Sequence, residues 1–262
     1  MMEIPIYQVD AFTNKSFGGN PAAVCPLTDW LPDETLQHIA GENNLSETAF
    51  LVPRSGGYTI RWFTPTVEVD LCGHATLASA WVVFNRLGFT GDVIHFQSPR
   101  SGALPVRREG QFLTLDFPSD VVQEVKDRSL LNGCFDREPL RVFRGRTDFM
   151  LEYAAEADVR NIRPDFRRIA QLNARGVIVT APGDRVDFVS RFFGPACGVD
   201  EDPVTGSAHT TLAPFWADRF GRTALTAQQV SARVGDLRCR ISGDRTEISG
   251  EAVLFMEGII RV

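Results

Sequence analysis

Lysine is almost missing from this chain: among 27 basic residues only Lys15 and Lys126 are lysines, and the rest are arginines. Chemistry through a lysine Schiff base therefore has very few candidates. Histidine is scarce too, with His38, His74, His95 and His209 scattered singly, and five cysteines (Cys25, Cys72, Cys134, Cys197, Cys239) lie far apart without a C-x-x-C pair. That usage speaks against a disulfide framework and against a zinc site. No metal is expected, and most of the thiols are expected to be reduced and partly buried. No segment approaches the ~20 apolar residues of a membrane span, and MMEIPIYQVDAF alternates like a strand rather than a signal peptide, so the cytoplasm is the expected compartment. The net charge of -6, with no basic stripe, gives no footprint for nucleic acid or an anionic membrane, and both are set aside as partners. Also missing are G-x-x-x-x-G-K-[ST], a strand-linked G-x-G-x-x-G, H-E-x-x-H and G-x-S-x-G. What remains without metal, nucleotide or Schiff base is chiefly proton chemistry, and no cofactor is expected.

What the chain does have is a repeat of itself. With 262 residues, 44% of them hydrophobic, it can bury one large core or two ordinary ones. Sliding it by 133 positions aligns 73–110 with 206–243 without a gap, and twelve of the 38 pairs are identical, among them Gly73/Gly206, Arg86/Arg219, Gly88/Gly221 and Gly110/Gly243. Roughly two or three identities would arise by chance at ordinary residue usage. After Gly73 and Gly206 come helical runs, HATLASAWVVFNRL and SAHTTLAPFWADRF, each ending at a glycine (Gly88, Gly221) suited to a left-handed C-cap. GALPVRREGQFLTLDF and GDLRCRISGDRTEIS then read as hairpins. Upstream, Arg61-Trp62-Phe63 and Pro65 correspond to Arg191-Phe192-Phe193 and Pro195, after which the second half inserts a few residues around GVDEDPVTG. The expected organisation is a domain over 1–118 and another over 119–262, the last residues packing with the first domain. The boundary falls where DFPSD interrupts the pattern.

The two predicted helix starts, LCGHAT and DPVTGSAH, are the places to look for chemistry. A helix N-terminus offers unpaired N–H groups and partial positive charge, and Gly73 and Gly206 would let an anion approach the backbone. Together they would clamp a carboxylate, with Ser207 adding a hydroxyl; the plain alternative is that Thr205 and Ser207 merely cap the helix. Candidates for proton exchange are Glu47, Cys72, His74 and Asp202. Glu47, in NNLSETAFLV, is either a buried base beside Phe50 and Leu51 or an exposed loop glutamate. His74, in a first helical turn, suits a neutral donor or acceptor, or is an ordinary histidine satisfied by backbone. Asp202, extended ahead of Pro203, could orient an amine or hydroxyl, or belong to an acidic loop. The aromatics Trp62, Phe63 and Phe193 read as core.

VDAFTNKSFGGNPAAVCPL, NNLSETAFLVP, IRWFTPTVEVDLCGHATLASA, GVDEDPVTGSAH, QVSARVGDL and EISGEAVLFMEG resemble, in order and along nearly the whole chain, the phenazine-biosynthesis-like (PhzF-like) family. The resemblance implies an α+β fold like that of diaminopimelate epimerase: two pseudo-symmetric domains, each a mixed sheet or barrel rolled around a central helix, with the site in the cleft between them. It implies a cofactor-independent isomerase in which the S-E-T glutamate, here Glu47, moves a proton, and His74, Asp202 and Ser207 match the family's other site residues. Substrate contacts are expected from Gly73, Gly206, Ser207, Cys72 and Thr205, the substrate is a small carboxylate, and a homodimer is expected. Diaminopimelate epimerase uses a cysteine at each helix start; here Cys72 stands at the first and Thr205 at the second, which does not support a two-thiol mechanism and leaves Cys72 to line the site. Two rival readings stay open, an amino- or hydroxy-acid epimerase working from opposite faces and a metabolite-binding protein without turnover.

Overall fold

The computed structural model describes residues 2–262, which form a mixed fold of strands with five α-helices. The chain divides into two compact units, residues 2–116 with 249–262 and residues 117–248. Compared with a simple cut at 118/119, the first unit ends two residues earlier and takes back the C-terminal strand. The first unit contains β1 (Glu3–Ala11), β2 (Asn20–Pro26), α1 (Asp33–Asn43), β3 (Glu47–Arg54), β4 (Gly57–Phe63) and β5 (Glu68–Val69). It continues with α2 (Gly73–Arg86), β6 (Val93–Ser98), β7 (Gly102–Glu109) and β8 (Phe112–Pro118), whose end passes into the second unit. There follow β9 (Gln123–Glu124), β10 (Arg141–Arg144), β11 (Asp148–Glu152), α3 (Glu156–Asn161), α4 (Phe166–Ile169), β12 (Gly176–Pro182) and β13 (Phe188–Gly194). The second unit continues with β14 (Val199–Asp202), α5 (Gly206–Phe220), β15 (Ala224–Gln229), β16 (Gly235–Ser242) and β17 (Arg245–Gly250), whose end passes back into the first, where β18 (Ala252–Arg261) lies. Among the described residues no helix is long and apolar enough to cross a membrane.

The duplication seen in the sequence recurs as topology. In the first unit β2 and β3 pair in parallel, β3 and β4 antiparallel, β4 and β6 in parallel, and β6 and β7 antiparallel. The second unit repeats this series as β11/β12, β12/β13, β13/β15 and β15/β16. A parallel pair needs a long crossover connection, and α2 and α5 lie on equivalent crossovers. Even a part-buried ion pair is copied. Arg61 holds Glu68 through Nε and Nη2 at 2.7 and 2.9 Å while its guanidinium lies 5.1 Å from the Phe63 ring. Arg191 holds Glu201 at 2.7 and 2.8 Å and lies 4.9 Å from Phe193. Each pair ties down the segment that leads into its long helix.

Helix α2 is buried on almost every side, from His74 to Phe84, which its ATLASA composition allows: small side chains let strands β1, β2, β3 and β18 close around it. The wholly buried hydroxyl of Ser79 is satisfied by donating to the Ala75 carbonyl at 2.7 Å. Trp62, Phe63 and Phe193 are core residues, as expected, and Trp216 is buried with its indole N–H donating to Thr180 Oγ1 at 3.0 Å. All five cysteines are free and only Cys197 is exposed.

Both predicted helix ends are left-handed: Gly88 has φ +69° just beyond α2, and Gly221 caps α5 at φ +64°. A Cβ at Gly221 would meet no atom within 4 Å, so only the backbone conformation opposes a side chain there. Gly221→Ala is expected to cost about 1–2 kcal/mol, read as a lower urea midpoint with unchanged m-value.

Candidate active site

In the first unit three sequence-predicted residues come together at the start of α2. Cys72 is the N-cap, with an extended backbone and no side-chain capping bond, and Gly73 and His74 open the helix. His74 is buried. Its Nε2 lies 3.2 Å from Glu47 Oε2, close but off the ideal hydrogen-bond direction. Glu47 is the first residue of β3, paired with Ala22 of β2, and its side chain is 17% exposed. It is therefore neither a solvated loop glutamate nor sealed from a ligand. On the other side of the ring, His74 Nδ1 faces Cys72 Sγ at 3.5 Å and Asn20 Nδ2 at 3.2 Å. Ligand-type atoms of Glu47, Cys72 and His74 lie within 4.8 Å of one another, so the three side chains form one compact cluster.

The second unit answers with a different set at the start of α5. Thr205 is the N-cap, in the position that Cys72 holds in the first unit, and again no side chain caps the helix. The capping alternative fails for both hydroxyls. Thr205 Oγ1 donates to Asp202 Oδ2 at 2.5 Å, and Ser207 Oγ accepts from Arg175 Nη1 at 2.8 Å. Asp202 ends the short strand β14, the extended conformation expected ahead of Pro203. Buried Gln229 locks this corner: it accepts from the Thr205 N–H at 2.8 Å and donates to the Asp202 carbonyl at 2.7 Å.

Two residues outside the sequence candidates complete these clusters. Asn20 is the partner of His74, and Arg175 that of Ser207. Arg175 is bound through Nε (2.9 Å) and Nη2 to the buried carboxylate of Asp148. Burial works against its charge, but hydrogen bonds and charge attraction from Asp148 outweigh it and hold the guanidinium pKa above its ordinary value. Because Arg175 donates to Ser207 Oγ, the hydroxyl hydrogen is left to point elsewhere. Asn20 follows two glycines in SFGGNP, the one local signal that could have marked it; Arg175 carries none.

The same carbonyl is pinned in both units. Thr76 Oγ1 donates to the Cys72 carbonyl at 2.6 Å, and His209 Nδ1 lies 2.9 Å from the Thr205 carbonyl. Thr76 and His209 are related by the 133-residue repeat. His209 is wholly buried, and burial, opposed by its bond to Thr205, pushes its pKa down to about 4.

One helix start carries a glutamate and a histidine and its repeat carries an aspartate, two hydroxyls and an arginine, and the relatives of the chain are isomerases. The family model for phenazine biosynthesis-like proteins matches residues 9–258, and the chain belongs to that family. It is 53% identical over 264 residues to an uncharacterised isomerase of Pseudomonas aeruginosa, with 100% of both chains covered. A crystal structure of a phenazine biosynthesis protein of the PhzF family from Enterococcus faecalis superposes with a TM-score of 0.96 at 45% identity, covering 100% of each chain. The fold is also shared with a hydroxyproline epimerase from Agrobacterium vitis, at a TM-score of 0.60 and 9% identity over 99% of this chain and 91% of that one.

Proposed function

We propose that this isomerase moves a proton on a small carboxylate-bearing substrate without a cofactor, Glu47 removing the proton and returning it at a second position. The observation that carries this reading is the partly exposed Glu47 carboxylate beside the buried His74 ring at an uncapped helix start. A base must reach its substrate, yet lie where water does not compete for it, and 17% exposure meets both needs. The uncapped N-termini at Gly73 and Gly206 leave backbone N–H groups for an anion. Ser207, with its hydrogen free, and Asp202 are suited to hold the substrate's polar groups. Cys72 lines the site through its contact with His74 rather than acting as one of two thiols, since Thr205 stands at the matching position. The architecture is proposed to be of the diaminopimelate epimerase type, and the assembly a homodimer, which light scattering on the eluted protein checks.

The test is incubation in D₂O with small amino acids, hydroxy acids and cyclic diene acids, followed by mass spectrometry. Deuterium uptake into one class supports the reading and identifies the substrate. Ligands that raise the melting temperature with no uptake in any class would instead make the chain a binding protein.

A further inference from the structure

The neighbours of His74 specify its proton. Asn20, fully buried at the first position of β2, presents Nδ2 to His74 Nδ1 at 3.2 Å. An amide NH₂ only donates, so the contact calls for a bare Nδ1. The Cys72 thiol, 3.5 Å from the same nitrogen, can direct its weak S–H donor there as well. Nε2, in turn, stands 3.2 Å from Glu47 Oε2, close but off the line of a ring hydrogen bond. Two lone pairs would repel at that distance and an ionised carboxylate only accepts, so the proton belongs on Nε2. Donors on one side and an acceptor on the other select the same neutral tautomer, the one with its hydrogen on Nε2.

We propose that Asn20 is a positioning residue which sets the Nε2–H tautomer of His74. His74 thereby keeps an N–H rather than a lone pair beside Glu47 Oε2, and Oε1 is the oxygen that takes and returns the substrate proton. A proton placed on Oε2 would confront Nε2–H, whereas one on Oε1 does not. The chain is built to deliver Asn20 to this spot. It pairs with Ala11 across β1 and β2, and the connection between them turns through left-handed Phe12, Phe17 and Gly19. The Asp10 carboxylate accepts the Phe17 N–H at 3.0 Å. A Cβ on Gly19 would collide with the Ala11 carbonyl and the Thr13 side chain. Left-handed residues persist where their surroundings over-determine them, and here they fix where the Asn20 amide lies.

The role of Oε1 rests on the proposed chemistry of Glu47; the tautomer does not. The test is therefore two-bond ¹H–¹⁵N correlation on ¹⁵N-histidine protein at mildly alkaline pH, with the His74 signals assigned by their loss in His74→Gln. In the wild type Nδ1 is expected to be pyridine-type and Nε2 pyrrole-type. Asn20→Asp, which replaces the donor by an acceptor, is expected to move the proton to Nδ1, and Asn20→Ala to leave a mixture. A pyrrole-type Nδ1 in the wild type, or a tautomer unchanged in both variants, overturns the proposal. With a substrate in hand, Asn20→Asp is expected to lower kcat by about 10²-fold or more while KM changes little, since a wrong imidazole tautomer acts on the chemical step. A tautomer that follows Asn20 in a protein that exchanges no proton would leave the assignment of Asn20 standing and remove the role of Oε1 together with the proposed reaction.

Discussion

Glu47→Gln is expected to lower substrate deuterium exchange by about 10²–10⁴-fold, the usual worth of a general base, while ligands still stabilise the folded protein. Glutamine keeps the length of the side chain and an oxygen that can accept from His74 Nε2–H, so the pocket keeps its shape. What it loses is a group able to hold a proton. The substitution is also expected to leave the fold intact, because Glu47 contributes to β3 through its backbone register with β2 and its side chain is polar and partly exposed. Loss of kcat with retained ligand stabilisation is the signature of an interaction made only in the transition state. His74→Gln is the useful comparison: it removes a partner of the base rather than the base, and a smaller loss is expected. Exchange at the wild-type rate in Glu47→Gln would exclude Glu47 as the base and with it the proposed mechanism.

The sequence made the duplication legible because both copies need the same things at the same places: a glycine opening each long helix, a left-handed glycine beyond each, an arginine tied to the segment before each. The candidates Glu47, Cys72 and His74, spread over 28 positions, proved to be one cluster in the first unit, and Asp202, Thr205 and Ser207 lie within one turn and strand end of the second. What could not be read was how each candidate is held. Asn20 lies 54 positions from His74 and Arg175 lies 32 from Ser207, and neither spacing carries a helical or strand period. Their contacts exist because α2 packs against β2 and because β11 carries Asp148 beside Gly176, the residue after Arg175. Those are choices of tertiary packing and strand pairing rather than of local pattern. Nor could the capping of α5 be decided in advance, since Thr205 has the right chemistry for it; Asp202, three residues back, takes its hydroxyl instead.

His209 shows the same limit, and it leads to the largest expected effect on stability. As a sequence feature it is one of four isolated histidines; in the structure it is sealed in the core, near the Phe188 ring at 5.9 Å between centroids, with a pKa near 4. Between that value and the ~6.5 of a free histidine the unfolded chain binds a proton that the folded chain does not. The stability this gives is fully present above about pH 6.5 and is lost as the pH falls toward 4. The loss amounts to about 3 kcal/mol, at ~1.4 kcal/mol for each pH unit. Carboxylates titrating in the same window also lower stability, so a second protein is needed to isolate the histidine. His209→Thr supplies it, because Thr76 makes the equivalent bond to the helix-opening carbonyl in the first unit. The variant is expected to be less stable than the wild type by about 2–3 kcal/mol at neutral pH, from the cavity left behind. The gap should close as the pH falls toward 4, because only the wild type must then bury or expel a charge. Urea unfolding of both proteins across that range decides it: converging stability curves place the proton-linked term on His209, and parallel ones would mean that His209 is not held neutral in the folded chain.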